Sequence, residues 1–109
     1  MEYHRVASTA QVPVGKMKKV NAKGKDVVVA NAGGAYCALG NACPHSGGSL
    51  ADGALNGEVV TCPKHGAQFN VKTGEAVGKA KVALFKISTE NAKTHPVKIE
   101  NDNVHVGVE

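Results

Sequence analysis

Apolar residues recur along this chain at short period, and turn residues separate the runs. Asp26-Val27-Val28-Val29-Ala30 reads as a buried strand. Ala35-Tyr36-Cys37-Ala38-Leu39 follows Gly33-Gly34, a hairpin signal of the two-glycine type. Gly57-Glu58-Val59-Val60-Thr61 is a further short strand, and Ala67-Gln68-Phe69-Asn70-Val71 alternates with Phe69 and Val71 on one face. Lys72-Thr73-Gly74 then turns the chain. Pro96-Val97-Lys98-Ile99-Glu100 and Val104-His105-Val106-Gly107-Val108 both alternate around Asn101-Asp102-Asn103, which predicts a hairpin. Pro13-Val14-Gly15 and Lys23-Gly24-Lys25 mark earlier turns. No stretch of about ten residues keeps a helical period with caps, and one helical turn near Ser49 to Gly53 is all the pattern asks for. Short strands joined by glycine-rich turns indicate an all-β sandwich or small barrel.

One segment breaks this rhythm. Gly40 to Gly57 is long, polar and rich in glycine. A loop of that length in a compact domain is usually functional and needs something to order it. It contains Cys43-Pro44-His45, and the strand after it leads to Cys62-Pro63-Lys64-His65. Each site offers one thiolate and one imidazole, and the pairs are separated by about 16 residues, Ser46 to Thr61. The strand from Glu58 to Thr61 can bring the second pair beside the first. Thiolate sulfur suits iron held in a sulfide cluster. Two neutral imidazoles on one iron make it easier to reduce than an all-thiolate site, so the reduced electron should sit mainly on the His-bound iron. Pro44 and Pro63 fix their own φ and steer the preceding Cys to an extended backbone. Gly47, Gly48 and Gly66 permit close backbone approach and positive φ. A Cys₂His₂ set is also a legitimate structural zinc set, but Cys-x-His is an unusual zinc pair and the His-x₃₋₅-His pair is absent.

Composition narrows the remaining choices. The 109 residues fit one domain, 1–109, with the ligand-bearing part at about 40–75. Hydrophobic residues make up 42% of the chain but aromatics only 4%, with no Trp, so the core must rest on Val, Ala, Leu and Ile. A bound metal centre would add stability that such a core lacks. No apolar run approaches the roughly 20 residues needed to span a bilayer, and Met1 to Val6 has no apolar signal-peptide core. No membrane association and a cytoplasmic location are expected. Three cysteines argue against a disulfide scaffold and exclude a cluster held by four cysteines of this chain. Cys37 lies on the same strand face as Leu39 and is expected to be a buried free thiol. His4, His95 and His105 lack ligand spacing and are assigned ordinary structural roles. The net charge of +4 comes from lysines clustered at Lys16, Lys18, Lys19, Lys23 and Lys25 and spread over Lys79, Lys81, Lys86, Lys93 and Lys98. It reads as a solvated surface, and no basic run interleaves with aromatics, so nucleic acid is not an expected partner. Lys64 is either solvated or a docking contact for an acidic partner. No carboxylate occurs in Cys43 to Leu50 or Cys62 to Phe69, and charge there would act on encounter rate.

The runs Cys43-Pro44-His45-Ser46-Gly47-Gly48-Ser49-Leu50 and Cys62-Pro63-Lys64-His65-Gly66-Ala67-Gln68-Phe69 resemble the two cluster-binding boxes of Rieske proteins, and Asn70 to Glu75 continues the match. The whole chain resembles the bacterial Rieske-type ferredoxins in size. The resemblance implies the Rieske iron–sulfur fold, three stacked antiparallel sheets with a tip formed by two loops. It implies one [2Fe-2S] cluster on Cys43, His45, Cys62 and His65, with both imidazoles at the surface as the route for electrons. The respiratory branch carries an extra disulfide-forming Cys in each box, where this chain has Gly48 and Lys64. It often has Ser and Tyr hydroxyls donating to cluster sulfurs, where this chain has Ala67 and Phe69. A potential near the low end of the Rieske range, roughly −150 to +300 mV, is therefore expected. The implied role is a monomeric electron carrier without a catalytic site. It would take one electron from an NAD(P)H-dependent flavoprotein or ferredoxin reductase and pass it to a terminal oxygenase or similar redox acceptor. A small Rieske subunit of a nitrite reductase-like complex and a zinc-stabilised module are the alternatives.

Overall fold

The computed structural model describes residues 1–44, 47–64, 66–78, 80–82, 85–87 and 90–109, with backbone alone between 78 and 89. The described chain is built almost wholly of antiparallel strands. In order these are β1 (Glu2–Ser8), β2 (Met17–Ala22), β3 (Lys25–Ala32), β4 (Ala35–Gly40), β5 (Ala54–Asn56), β6 (Val59–Thr61), β7 (Gln68–Asn70), β8 (Ala76–Gly78), β9 (Ala80–Val82), β10 (Phe85–Ile87), β11 (Thr94–His95), β12 (Val97–Glu100) and β13 (Asn103–Val108). They form sheets ordered β1-β13-β12, β11-β4-β3-β2 and β5-β6-β7-β8, plus a two-stranded β9/β10 ribbon. The only helical pieces among the described residues are 3₁₀ turns, Thr9–Gln11 and Leu50–Asp52. The second occupies the helical turn expected between Ser49 and Gly53. Among the described residues no helix is long and apolar enough to cross a membrane.

Strand β3 explains the stacking. Its residues from Val27 to Ala32 are all buried, so both of its faces are covered. Val27 and Val29 pack with Ala38, Val104, Val106 and Val108, joining the β11-β4-β3-β2 sheet to the β1-β13-β12 sheet. Val28 and Ala30 turn the other way, onto Leu39, Leu50, Val60 and Phe69, and so join the same sheet to β5-β6-β7-β8. The period-2 geometry of a strand sends successive side chains to opposite faces, so a continuous valine run fits only a middle layer. Each fully buried Val contributes about 1.5–3 kcal/mol, so Val28→Asp would unpick the layer that supports the loops.

The hairpins obey the turn chemistry of their residues. The β3–β4 turn at Gly33 and Gly34 and the β12–β13 turn at Asn101 and Asp102 have positive φ at both central residues. The pairs Ala32↔Ala35 and Glu100↔Asn103 close them, which is the two-residue hairpin whose twist matches the strands. The second turn is one residue shorter than Asn101-Asp102-Asn103 suggests, because Asn103 already pairs. Strand limits also shift elsewhere. Gly57 and Glu58 belong to a turn rather than to β6, and Val71 to the turn after β7. The pattern misses β1, β2, β5, β8, β9, β10 and β11, with β5 (Ala54–Asn56) falling inside the segment read as a loop. Strand β2 has only two buried residues, Val20 and Ala22, because it lies at a sheet edge where its lysines meet solvent.

Candidate metal centre

Two loops meet beside the β5-β6-β7-β8 sheet. The first leaves β4 at Gly40, carries Cys43, and returns through the 3₁₀ turn at Leu50–Asp52. The second is the connection of the β6–β7 hairpin and carries Cys62. Their backbones repeat one hydrogen-bond pattern. The Cys43 N–H donates to the Gly48 carbonyl at 2.7 Å, and the Cys62 N–H to the Ala67 carbonyl at 2.7 Å. The Gly47 N–H donates back to the Cys43 carbonyl at 2.8 Å, and the Gly66 N–H to the Cys62 carbonyl at 3.1 Å. Gly47 and Gly66 have φ of 73° and 75°, a region where a side chain would be strained. Cys43 and Cys62 are thus equivalent positions, as are Gly48 and Ala67. The histidines are not: His45 stands second after its Cys and His65 third after its own. His45, Ser46 and His65 lie outside the described residues.

Contact between the loops is tight. Strand β5 follows the first loop directly and pairs Ala54 with Thr61, the residue before Cys62. A Cβ on Gly53 would run into the Thr61 carbonyl and would sit 3.2 Å from the Leu50 carbonyl, so only glycine allows this approach.

Both sulfur-bearing residues are buried, Cys43 at 3% and Cys62 at 1% exposure, in one core cluster with Leu50, Val60, Ala67 and Phe69. A thiolate buried among apolar side chains is costly unless a cation neutralises it. Two such residues on matching loops therefore fit a soft metal centre, and Cys43 and Cys62 could supply its sulfur ligands. The rim is wet: Pro44, Gly47, Pro63 and Lys64 are exposed. Glu58, the carboxylate at the head of the second hairpin, is held by Lys72 at 3.5 Å.

The other candidate residues fall elsewhere. Cys37 is a free thiol on the Leu39 face as expected, but it is only half-buried. It opens on a shallow cavity of about 130 Å³ shared with Val71, Lys72 and His95. Burial pushes its thiol up, while Lys72 pulls it down. His4 sits 3.5 Å from the Glu2 carboxylate. His95 is buried at 9% exposure on β11, opposite Ala38. Burial lowers its pKa, with repulsion from Lys93 and Lys25 adding to the shift and a hydrogen bond with the Gly107 backbone opposing it. The residue that sequence reasoning overlooks is Asn41. An Asn after a Gly at a strand end looks like an ordinary turn residue, yet this one is 5% exposed and fully engaged.

Two matched, cysteine-bearing loops, one springing from the middle sheet and one from the β5-β6-β7-β8 sheet, define a cluster-binding β protein. The chain matches the family profile of the Rieske [2Fe-2S] domain over residues 2–88, and it belongs to that family. Its cofactor is a [2Fe-2S] cluster. It is 34% identical over 96 residues to the ferredoxin component of a naphthalene 1,2-dioxygenase system from Pseudomonas aeruginosa, covering 88% of this chain and 86% of that one. It is 32% identical over 109 residues to the ferredoxin component of biphenyl 2,3-dioxygenase from Rhodococcus jostii, covering 100% and 95%. Among solved structures it resembles a chain from the complex of reduced oxygenase and oxidized ferredoxin in carbazole 1,9a-dioxygenase. The TM-score is 0.81 at 28% identity, with 95% of this chain and 91% of that chain covered. These relatives agree with electron transfer through a Rieske cluster.

Proposed function

We propose that this chain is the ferredoxin component of a ring-hydroxylating oxygenase system, holding its cluster through Cys43, His45, Cys62 and His65. It takes one electron from an NAD(P)H-dependent flavoprotein or ferredoxin reductase and delivers it to a terminal oxygenase. The observation that carries this reading is the pair of matched loops presenting buried Cys43 and Cys62 on a chain that ferredoxin components match along nearly its whole length. When bound, the cluster accepts and releases a single electron at a potential raised by its two imidazoles.

The chain's own residues do the rest. Cys43 and Cys62 anchor the centre in the core, where Leu50 and Phe69 keep water from the sulfur side. Ala67 and Phe69 are both fully buried and carry no hydroxyl to stabilise added negative charge, which favours a low potential. Exposed Lys64 stands inside the second loop and gives the rim a positive charge for an acidic partner surface. The reading makes residues 1–109 a single monomeric Rieske unit, with no catalytic site of its own, working in the cytoplasm beside a nicotinamide-dependent reductase.

The test is an EPR spectrum of the purified chain before and after dithionite, with iron and acid-labile sulfide counted on the same sample. A rhombic signal appearing only on reduction, with about two irons and two sulfides per chain, is expected. Reduction by NADH through a flavoprotein reductase then tests the carrier role. A colourless, EPR-silent chain with stoichiometric zinc after anaerobic preparation would overturn it.

A further inference from the structure

The geometry points to Asn41 as the positioning residue of the first ligand loop, a side-chain clamp that sets where Cys43 stands toward the cluster. The inference rests on the reading that the cluster is held there. Asn41 is the first residue after β4, and every polar group it has is used. Its N–H donates to the Asp26 carbonyl at 3.0 Å, tying it to β3, and its carbonyl accepts the Leu50 N–H at 2.9 Å. Its Oδ1 accepts the Ala51 N–H at 3.0 Å. Its Nδ2 donates to the Ser49 Oγ at 2.9 Å. One residue on the outgoing limb therefore holds three consecutive residues on the returning limb. Among the described residues, the only ladder support beside it is the single bridge Ala42↔Ser49.

The second loop needs no such device. Thr61↔Gln68, Val60↔Phe69 and Val59↔Asn70 close it as an ordinary hairpin. A side-chain bond from Gln68 Nε2 to Thr61 Oγ1 at 3.2 Å only supplements that ladder. The first loop springs from one sheet and returns toward another, so no continuous ladder can run beneath it. A buried amide that satisfies both limbs replaces the ladder. Because both partners of its side chain are loop atoms, losing that side chain moves the loop rather than the sheets. Partners one step removed from a metal ligand typically change metal retention by about 10–100-fold.

Three variants are compared in the cluster-loaded chain: Asn41→Ala, Ser49→Ala and Thr61→Val. The readouts are the rate of cluster loss to an iron chelator, the reduced-state EPR g values and the thermal midpoint. Asn41→Ala should lose its cluster about tenfold faster and shift the g values. Ser49→Ala, which removes one bond, should accelerate loss about fivefold, and Thr61→Val should stay within about twofold of wild type. A purely structural asparagine would lower the midpoint and leave the g values alone, which would overturn the inference. So would equal acceleration in Asn41→Ala and Thr61→Val. If Asn41→Ala does not fold, Ser49→Ala decides: faster loss than Thr61→Val supports the clamp, and an equal rate overturns it. The wild-type iron and sulfide count tests the cluster reading separately. Without a cluster, amide exchange at Leu50 and Ala51 in the three variants reads the clamp directly.

Discussion

The two ligand loops have the same backbone around their cysteines but opposite foundations. The second grows out of a β-ladder, so its shape is a by-product of strand pairing between β6 and β7. The first crosses from the middle sheet to the β5-β6-β7-β8 sheet and is closed by one buried side chain and one bridge. Equal backbone geometry around a cysteine can therefore be reached by cooperative backbone pairing or by a single polar residue. The two are not equally robust, because a ladder spreads its energy over many bonds and a clamp concentrates it in one.

The hardest test of the loops' equivalence removes each sulfur in turn. Cys43→Ser and Cys62→Ser should each leave less than about a tenth of the wild-type iron, since a hydroxyl is a poor substitute for thiolate at such a centre. Iron content and visible absorbance check this, and a variant keeping half its iron would break the equivalence. Next comes the seam between the loops. Gly53→Ala forces a methyl onto the Thr61 carbonyl, so it should cost about 1–3 kcal/mol and lower the melting temperature by several degrees. Gly57→Ala, where φ is 61° but a Cβ would meet open space, should cost about 1 kcal/mol from backbone strain alone. If the two cost the same in thermal unfolding, the seam is not tight.

A milder change probes the electrostatics of the second loop. Phe69→Tyr places a hydroxyl in the core cluster beside Cys43 and Cys62. One new hydrogen bond favouring the reduced state by about 1 kcal/mol should raise the potential by roughly 40 mV in a one-electron couple. Spectroelectrochemical titration measures this, and an unchanged potential would mean the ring points away from the sulfurs. The smallest effect falls on the first loop's base. His95 pairs with Ala38 on β4, the strand that launches that loop. Its folded-state pKa lies below the ordinary imidazole value of 6.5, so the unfolded chain binds the proton first as pH falls. Stability is whole above about 6.5 and declines toward the folded-state value. The melting temperature should drop between pH 7.5 and 5.5, and His95→Gln should drop less over the same interval. An equal slope in both proteins would remove His95 as the cause.

Legibility differed by element for physical reasons. Strands β3, β4 and β13 could be read because burial forces apolar residues into every other or every position, and β12 because its residues alternate next to a turn although none of them is buried. The ligand loops could be read because two Cys/His pairs with adjacent prolines and glycines have few uses other than metal binding. Strand β1 and edge strand β2 escaped because only Ala7 of the first and Val20 and Ala22 of the second are buried, too few to mark a period. Strands β8 and β11 escaped because they are too short to show a period. Cys37 was placed on the correct face but at the wrong depth, since its side opens on the shallow cavity lined by Val71, Lys72 and His95 rather than lying under a packed layer.

Sequence alone determined the all-β class, the Rieske family signature and the two cysteine positions, because these follow from residue type and spacing. It also marked β3 as a buried strand, since an unbroken valine run cannot face water, while its place as the middle layer came from the packing on both faces. Only the tertiary structure decided that Gly53 must be glycine and that Asn41 bears the first loop. Both depend on atoms brought together from different strands, the Thr61 carbonyl against Gly53 and the Asp26 carbonyl beside Asn41. Neither contact leaves a local pattern, because its cause lies in how the sheets stack rather than in the residues that flank it.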